Sequence, residues 1–163
     1  MVLTGAERNV NKLVLELDVL SPVAAQSEDV DPANLSVLTA QADQTDRDLL
    51  GERATTEDTD PGTVFATAPD GDQTVLDAAV QGSVDRGAFA WSGHGEVSAE
   101  AYAGVLRPYR VVSVAGAGTR LSGRYLVSEV SHSLKDMGYT QTFTLRRNAV
   151  SDAGGGGLPG GIV

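Results

Sequence analysis

The chain has 163 residues and a formal net charge of −10, from 22 acidic and 12 basic residues. This length suits one compact domain that buries a full hydrophobic core without metal or disulfide support. The absence of cysteine excludes thiol catalysis, iron–sulfur clusters and cysteine-ligated zinc. The negative charge repels polyphosphate and argues against nucleic acid as a partner. No apolar run reaches the roughly 18 residues that a membrane span needs.

The N-terminal half alternates between short extended segments and polar loops. Residues 11–20, NKLVLELDVL, place apolar side chains at alternate positions, which predicts a half-buried strand. Residues 23–34 are acidic and contain Pro32, and we interpret them as a loop. Residues 35–42 predict a second strand. Residues 41–54 fit either a helix that begins near Thr45 or two short strands. Residues 55–62 predict a loop, and residues 63–68 predict an extended segment.

The clearest helix in the sequence spans about residues 73–86. Asp72 is placed to cap its first turn, because a carboxylate there accepts hydrogen bonds from free backbone amides. Gly87 is expected to end the helix in the left-handed conformation. The apolar face of this helix is formed by Val75, Leu76, Ala79, Val80 and Val84.

After Gly87 the hydrophobic period changes from that of a helix to that of strands. The predicted strands begin around Phe89 and Trp91 and continue over residues 110–115, 123–132 and 139–147. In the last of these strands Tyr139, Phe143 and Leu145 share one face. The final segment, residues 151–163, contains six glycines and predicts a flexible tail.

Gly116 and Gly118 form a G-x-G sequence that raises the question of a phosphate-binding loop. A dinucleotide fingerprint needs a helix after the glycines, because the helix N-terminus holds the pyrophosphate. Here residues 124–127 read as a strand. We therefore interpret Gly116, Gly118 and Gly123 as structural turn residues between antiparallel strands.

The strand after this turn carries a shift in its period. Tyr125 and Val127 share one face, whereas Val130 and His132 share a face of the opposite parity. A β-bulge near Ser128 and Glu129 would place all four on one side of the sheet. Bulged and strongly curved strands suit a small barrel. The structural core predicted here consists of Tyr125, Val127, Val130 and Phe143.

Signals for chemistry are weak elsewhere in the sequence. His94 and His132 match no metal-ligand spacing, and we interpret them as a turn residue and a strand-end residue. A serine hydrolase of the nucleophile-elbow type needs G-x-S-x-G, which the sequence lacks. The acidic stretches 28–31 and 57–60 lack the residue order of a calcium loop. The sequence therefore predicts no catalytic residue, no metal site and no cofactor.

Residues 106–150, LRPYRVVSVAGAGTRLSGRYLVSEVSHSLKDMGYTQTFTLRRNAV, resemble the late control D family of phages. The similarity lies in a G-x-G turn, a G-x-Y-x-V-x-x-V-x-H strand, a strand of the type G-Y-x-T-x-F and a closing R-R-N-A. Tyr109 stands where the family has glycine. The matching positions include Gly123, Tyr125, Val127, Val130, His132, Gly138, Tyr139, Phe143, Arg146, Arg147 and Asn148.

Members of this family are baseplate hub proteins of contractile phage tails and related injection systems. The resemblance implies a mainly β fold of the α+β type, an antiparallel tail-tube-like β-barrel or closed sandwich with one covering helix. It implies a structural baseplate hub or tube-to-spike adaptor that forms a homo-oligomer, expected to be a trimer, and contacts a tail tube protein and a spike protein. It implies no enzyme activity, no cofactor, and a location in the cytoplasm during assembly and then in a virion or injection particle.

The expected domain plan is a hub-like β-barrel domain over residues 1–150, followed by the glycine-rich tail over residues 151–163. Two other functions stay open. A carbohydrate- or peptidoglycan-binding β-module would present exposed aromatic side chains in a row on one face. A cell-wall hydrolase would present a cleft with convergent carboxylates.

Overall fold

The computed structural model describes residues 1–67, 72–135 and 138–151. These residues form ten strands and one α-helix. In chain order the elements are β1 (Lys12–Leu17), β2 (Val23–Val30), β3 (Val37–Ala42), β4 (Arg53–Ala54), β5 (Gly62–Phe65), α1 (Gln73–Gly87), β6 (Trp91–Ser98), β7 (Val111–Val114), β8 (Gly123–Lys135), β9 (Gly138–Arg147) and β10 (Ala149–Val150).

The chain forms two compact units, each with its own hydrophobic core. The first, which we call the sheet unit, contains Met1–Leu17, Leu49–Arg53 and the described residues from Trp91 onward. The second, which we call the helix unit, contains Asp18–Asp48 and Ala54–Ala90. Along the sequence, the helix unit is therefore an insertion into the sheet unit.

The sheet unit is built on a five-stranded antiparallel sheet in the order β1-β6-β9-β8-β7. The sheet curls into a half-barrel. One face carries the core, in which Val97, Val127 and Leu145 are completely buried. Burying a side chain of this size stabilises the fold by roughly 2 kcal/mol. The predicted mainly β fold with one helix is confirmed.

The predicted β-bulge in β8 is confirmed. Val127 pairs with Leu145 and Glu129 pairs with Thr144, so Ser128 is an extra residue without a partner on β9. Because of this extra residue, Val130 and His132 face the same side of the sheet as Tyr125 and Val127.

The helix unit contains a three-stranded sheet in the order β3-β2-β5. β2 pairs antiparallel with β3 and parallel with β5. α1 packs on β2 and β3 through Leu76, Val80 and Val84, which are spaced about one turn apart and fully buried. The small residues Ala25 and Ala40 of the two strands face them in the core.

Specific contacts set the ends of α1. The Asp72 carboxylate accepts hydrogen bonds of 2.7 and 3.2 Å from two first-turn amides, which confirms the predicted cap. The prediction of a left-handed Gly87 is wrong, because Gly87 is helical and Ala88 continues with φ −58° and ψ −29°. Gly87 is required for space instead, since a Cβ there would lie 2.5 Å from the carbonyl oxygen of Ser21.

The interpretation of residues 23–34 as a loop is wrong. Val23–Val30 forms β2, the central strand of the three-stranded sheet. Its buried face is formed by Ala25 and Ser27. Because neither residue is strongly apolar, the sequence shows little of the alternation by which a half-buried strand is recognised.

Short strands are the correct alternative for residues 41–54. Strand β3 reaches the start of this segment and β4 forms at its end, and the structure has no helix between them. The predicted loop over 55–62 contains a short 3₁₀ turn at Thr55–Glu57. The predicted tail, residues 151–163, lies outside the described residues except for Ser151. Within the described ranges, no helix is long and apolar enough to cross a membrane.

Candidate functional site

The glycine-rich turn lies between β7 and β8 in the sheet unit. Gly116, Gly118 and Gly123 have φ values of +77°, +91° and +144°. A Cβ at Gly116 would lie 2.6 Å from the hydroxyl of Thr4, and a Cβ at Gly123 would lie 2.9 Å from the guanidinium of Arg147. Gly116 and Gly123 are therefore required for two reasons: their φ values are positive, and neither position has space for a side chain. Gly123 begins β8, so the residues after the turn offer a phosphate no helix N-terminus.

The four predicted core residues lie together in the core of the sheet unit. Tyr125, Val127 and Phe143 are buried, with exposed fractions of 0%, 0% and 3%. Val130 is half-buried and packs against the same cluster. The Tyr125 hydroxyl donates a 2.7 Å hydrogen bond to the carbonyl oxygen of Leu121. Burial raises the pKa of this hydroxyl.

A buried arginine anchors the glycine-rich turn. Arg147 in β9 is 1% exposed, and its guanidinium carbon lies 5.3 Å from the centre of the Tyr125 ring. Its guanidinium donates to the carbonyl oxygens of Arg120 and Ser122 at 3.4 Å and to the hydroxyl of Ser151. Arg147 has the strand parity of the other buried residues of β9. That period was readable in the sequence, but a charged side chain is rarely fully buried.

Two buried amides bind loop backbone in the same way. Gln141 is fully buried, accepts a 2.7 Å hydrogen bond from the N–H of Leu106 and donates a 2.9 Å hydrogen bond to the carbonyl oxygen of Gly104. The Asn148 Oδ1 accepts a 3.0 Å hydrogen bond from the N–H of Leu50. Neither role was predicted from the sequence, because no local signal shows which distant loop an amide binds.

The other face of the five-stranded sheet is polar. One concavity on this face has a volume of about 360 Å³ and includes Lys12, His94, Glu96, Glu129, Thr142 and Thr144 in its lining. The Nδ1 of His94 lies 3.3 Å from the hydroxyl of Thr144. The interpretation of His94 as a turn residue is wrong, because it lies inside β6. No group of three metal-binding side chains occurs among the residues that the structure describes.

The second histidine contacts an aromatic ring on the neighbouring strand. The rings of His132 and Tyr139 are nearly parallel, at 8°, with their centres 5.9 Å apart. The Nδ1 of His132 lies 2.6 Å from the Tyr139 hydroxyl. This pair bridges β8 and β9 on the exposed part of the hairpin, and β8 continues beyond His132 to Lys135.

In the helix unit, Asp85 of α1 is the centre of a polar cluster. Its carboxylate accepts hydrogen bonds from the Thr45 hydroxyl at 2.8 Å, the Asp46 N–H at 3.0 Å, the Arg47 guanidinium at 2.9 Å and the Gln81 amide at 3.1 Å. Burial alone would raise the pKa of this carboxyl. The hydrogen bonds outweigh that effect and lower the pKa below its ordinary value. The cluster holds a loop against α1.

No protein-family model matches the sequence, and no curated protein is significantly similar to it. The fold is shared with phage tail proteins. The tail protein from Neisseria meningitidis MC58 is similar with a TM-score of 0.55 and 15% identity, over 89% of this chain and 42% of that one. The 43 kDa tail protein of prophage MuSo2 from Shewanella oneidensis has a TM-score of 0.56 and 10% identity, over 91% and 41%. The chain thus spans less than half of either protein.

Proposed function

We propose that this chain is a structural component of a phage tail or of a related injection particle. The observation that carries the proposal is the shared fold, since about nine tenths of the chain follows two phage tail proteins. The resemblance of residues 106–150 to the late control D family supports the same role from the sequence.

Within that role we propose a baseplate hub, or an adaptor between tail tube and spike. Residues 1–150 serve as the hub-like part and residues 151–163 as a tail. The partners are further copies of the chain, three in an assembled ring, together with a tail tube protein and a spike protein. The chain is made in the cytoplasm and is then built into a virion or injection particle.

A structural role agrees with the placement of the polar side chains in the sheet unit. Arg147, Gln141 and Asn148 bind backbone groups of loops, which fixes the shape of the unit. The aromatic rings of Tyr125 and Phe143 are buried in the core and are not offered to a sugar. These contacts support a structural role, in which the interior of the unit fixes its shape and the surface binds other proteins.

Electron microscopy of particles that carry a gold-labelled C-terminal tag on this chain tests the proposal. A ring with rotational symmetry at the junction of tube and spike is the expected result. Label along the tube or elsewhere in the particle would retain the tail role and overturn the hub role. Purified particles without the label, from cells that express the tagged chain, would overturn both.

The hydrolase alternative rests on Glu96 and Glu129, which line the same concavity. They lie on β6 and β8, which are separated by β9, so their backbones are roughly 10 Å apart across the sheet. Digestion of peptidoglycan by the native chain, compared with the E96Q/E129Q double variant, tests this alternative. Release of soluble fragments by the native chain but not by the double variant would establish hydrolase activity. We expect that neither protein releases fragments.

A further inference from the structure

Among the residues that the structure describes, strand β1 is an edge of the five-stranded sheet and is paired only with β6. The N–H of Asp18 donates to the carbonyl oxygen of Ala90 at 3.0 Å, in line with the register of the ladder. Backbone bonding alternates along an antiparallel pair. Lys12, Val14 and Glu16 therefore bond to β6, and the intervening leucines direct their N–H and C=O groups toward the free edge.

The side chains of β1 form a pattern that is complementary to itself. Lys12, Val14 and Glu16 point to the polar face, with Val14 at the centre and 41% exposed. Leu13 and Leu15 point to the core and are only half-buried there. A two-fold rotation about Val14 places the lysine of one copy opposite the glutamate of another.

We propose that two copies of this chain pair through β1 as antiparallel strands, with the two-fold axis at Val14. In this register Val14 faces Val14 of the partner subunit, and Lys12 faces Glu16 of the partner subunit at both ends. Leu13 and Leu15 exchange backbone hydrogen bonds across the axis, because their N–H and C=O groups point to the free edge. The pairing also covers the half-buried leucine side chains.

The expected dimer is weak and depends on concentration. One six-residue strand supplies about four backbone hydrogen bonds and buries less than the roughly 1,200 Å² of a stable interface. A dissociation constant on the order of 10⁻⁴ M is therefore expected. The pairing concerns the free chain and goes beyond the proposed role in a particle. It covers an edge that would otherwise recruit other strands.

A cysteine at the two-fold axis tests the register. The chain has no cysteine of its own, and Val14 faces its equivalent at a non-hydrogen-bonded position, where Cα atoms approach to about 4.5 Å. Val14→Cys should form a disulfide-linked dimer at least about tenfold faster than Val111→Cys. Val111 is a matched control, since it lies on the opposite edge strand, β7, and is 47% exposed.

Equal rates of disulfide formation for the two cysteine variants would overturn the proposal. A disulfide between V14C and V111C chains in a mixture, faster than V14C with itself, would show that β1 pairs with β7 of another copy and would also overturn it. Circular dichroism of each variant confirms that the fold is kept.

Charge exchange tests the same register without a covalent bond. Lys12→Glu and Glu16→Lys each put like charges opposite one another at both ends and should weaken the dimer roughly tenfold in sedimentation equilibrium. The double variant K12E/E16K restores opposite charges and should recover the dimer. Single variants that associate like the native chain, or a double variant that stays as weak as the singles, would overturn the proposal. Neither outcome bears on the location of the chain in a particle.

Discussion

Single polar side chains hold the loops of the sheet unit in place. Arg147 binds carbonyl oxygens of the glycine-rich turn, Gln141 binds the chain around Gly104, and Asn148 binds the N–H of Leu50. A buried backbone group that loses its partner costs about 1–3 kcal/mol. Each of these loops is therefore sensitive to one substitution at a distant position in the sequence.

Arg147→Ala should lower the free energy of unfolding by about 3 kcal/mol. The substitution removes the hydrogen bonds to Arg120 and Ser122 and the contact with the Tyr125 ring, and it leaves a cavity. Urea denaturation at neutral pH measures the loss. Arg146→Ala is the matched control, because Arg146 is the adjacent residue in β9 and its side chain is exposed. This substitution should lower the free energy of unfolding by less than about 0.5 kcal/mol. Equal midpoints for the two variants would contradict the anchoring role.

Asp85→Asn should destabilise the helix unit in a manner that depends on pH. The folded pKa of Asp85 lies below its ordinary value of 3.8, so the ionised carboxylate stabilises the fold above that value, and the contribution is lost as the pH falls through the folded pKa. A loss of about 2 kcal/mol is expected near neutral pH.

Urea denaturation from about pH 7 down to about pH 2 checks this sign, since the curves of native chain and variant should converge in acid. Asp77→Asn is the control, because Asp77 is on the same helix and exposed. A difference between the native chain and D85N that stays constant with pH would refute a stabilising role for the charge.

At the scale of elements, the bulge at Ser128 determines which side chains of β8 face the core. Deleting Ser128 should reverse the parity of one half of the strand and turn Val130 away from the core. We expect loss of cooperative unfolding or a destabilisation above about 4 kcal/mol. Ser128→Ala keeps the residue count, loses only the 3.3 Å hydrogen bond to the Thr144 carbonyl, and should cost less than about 1 kcal/mol. Amide hydrogen exchange in β8 and β9 distinguishes these outcomes.

Some elements were predictable because their local chemistry agrees with their final environment. The helix α1 has a capping carboxylate at Asp72 and an apolar face. Strand β8 shows its bulge as a break in the alternation of apolar residues. Strand β2 was missed because Ala25 and Ser27 form its buried face, and α1 supplies the large apolar side chains of that core. A strand with small buried residues has no apolar pattern of its own, so it can be recognised only from the helix that packs on it.

The features of the sheet unit that depend on distant pairing could not be predicted from the sequence. The parity of β9 places position 147 inside, but only the glycine-rich turn provides the carbonyl oxygens that make a buried arginine tolerable. The free edge of β1 likewise follows from the strand order, which joins β1 to β6 across a long insertion. The proposed role of Lys12 and Glu16 in pairing two copies could be inferred only once the structure showed that β1 is an edge strand.

At the scale of the whole molecule, the chain leaves the sheet unit and returns to it at adjacent positions. Leu17 at the end of β1 is the register partner of Trp91 at the start of β6. The intervening residues form the helix unit, apart from Leu49–Arg53, which belongs to the sheet unit. The five-stranded sheet therefore needs only a short connection between β1 and β6.

Replacement of residues 19–89 by Asn-Gly should leave a sheet unit that folds by itself. The N–H of Asp18 donates to the carbonyl oxygen of Ala90, so these two residues lie opposite each other at the position that a two-residue type I′ turn closes. The shortened chain should keep a β-type circular dichroism spectrum and a cooperative transition. It should be more than about 3 kcal/mol less stable than the full chain, because it loses the buried side chain of Leu50, the Leu50 N–H that binds Asn148 and the hydrogen bond from the Glu52 N–H to the Val150 carbonyl oxygen.

Leu50→Ala in the full chain is the control for this replacement, since it removes the same side chain and keeps the connection. Leu50→Ala keeps the backbone bonds to Asn148 and Val150, so it should lose less stability than the shortened chain; an equal loss in both proteins would assign the whole destabilisation to the Leu50 side chain. A shortened chain without a cooperative transition, alongside a folded Leu50→Ala variant, would show that the sheet unit requires the inserted residues in order to fold. In that case the two units would be one folding unit, although each has its own core.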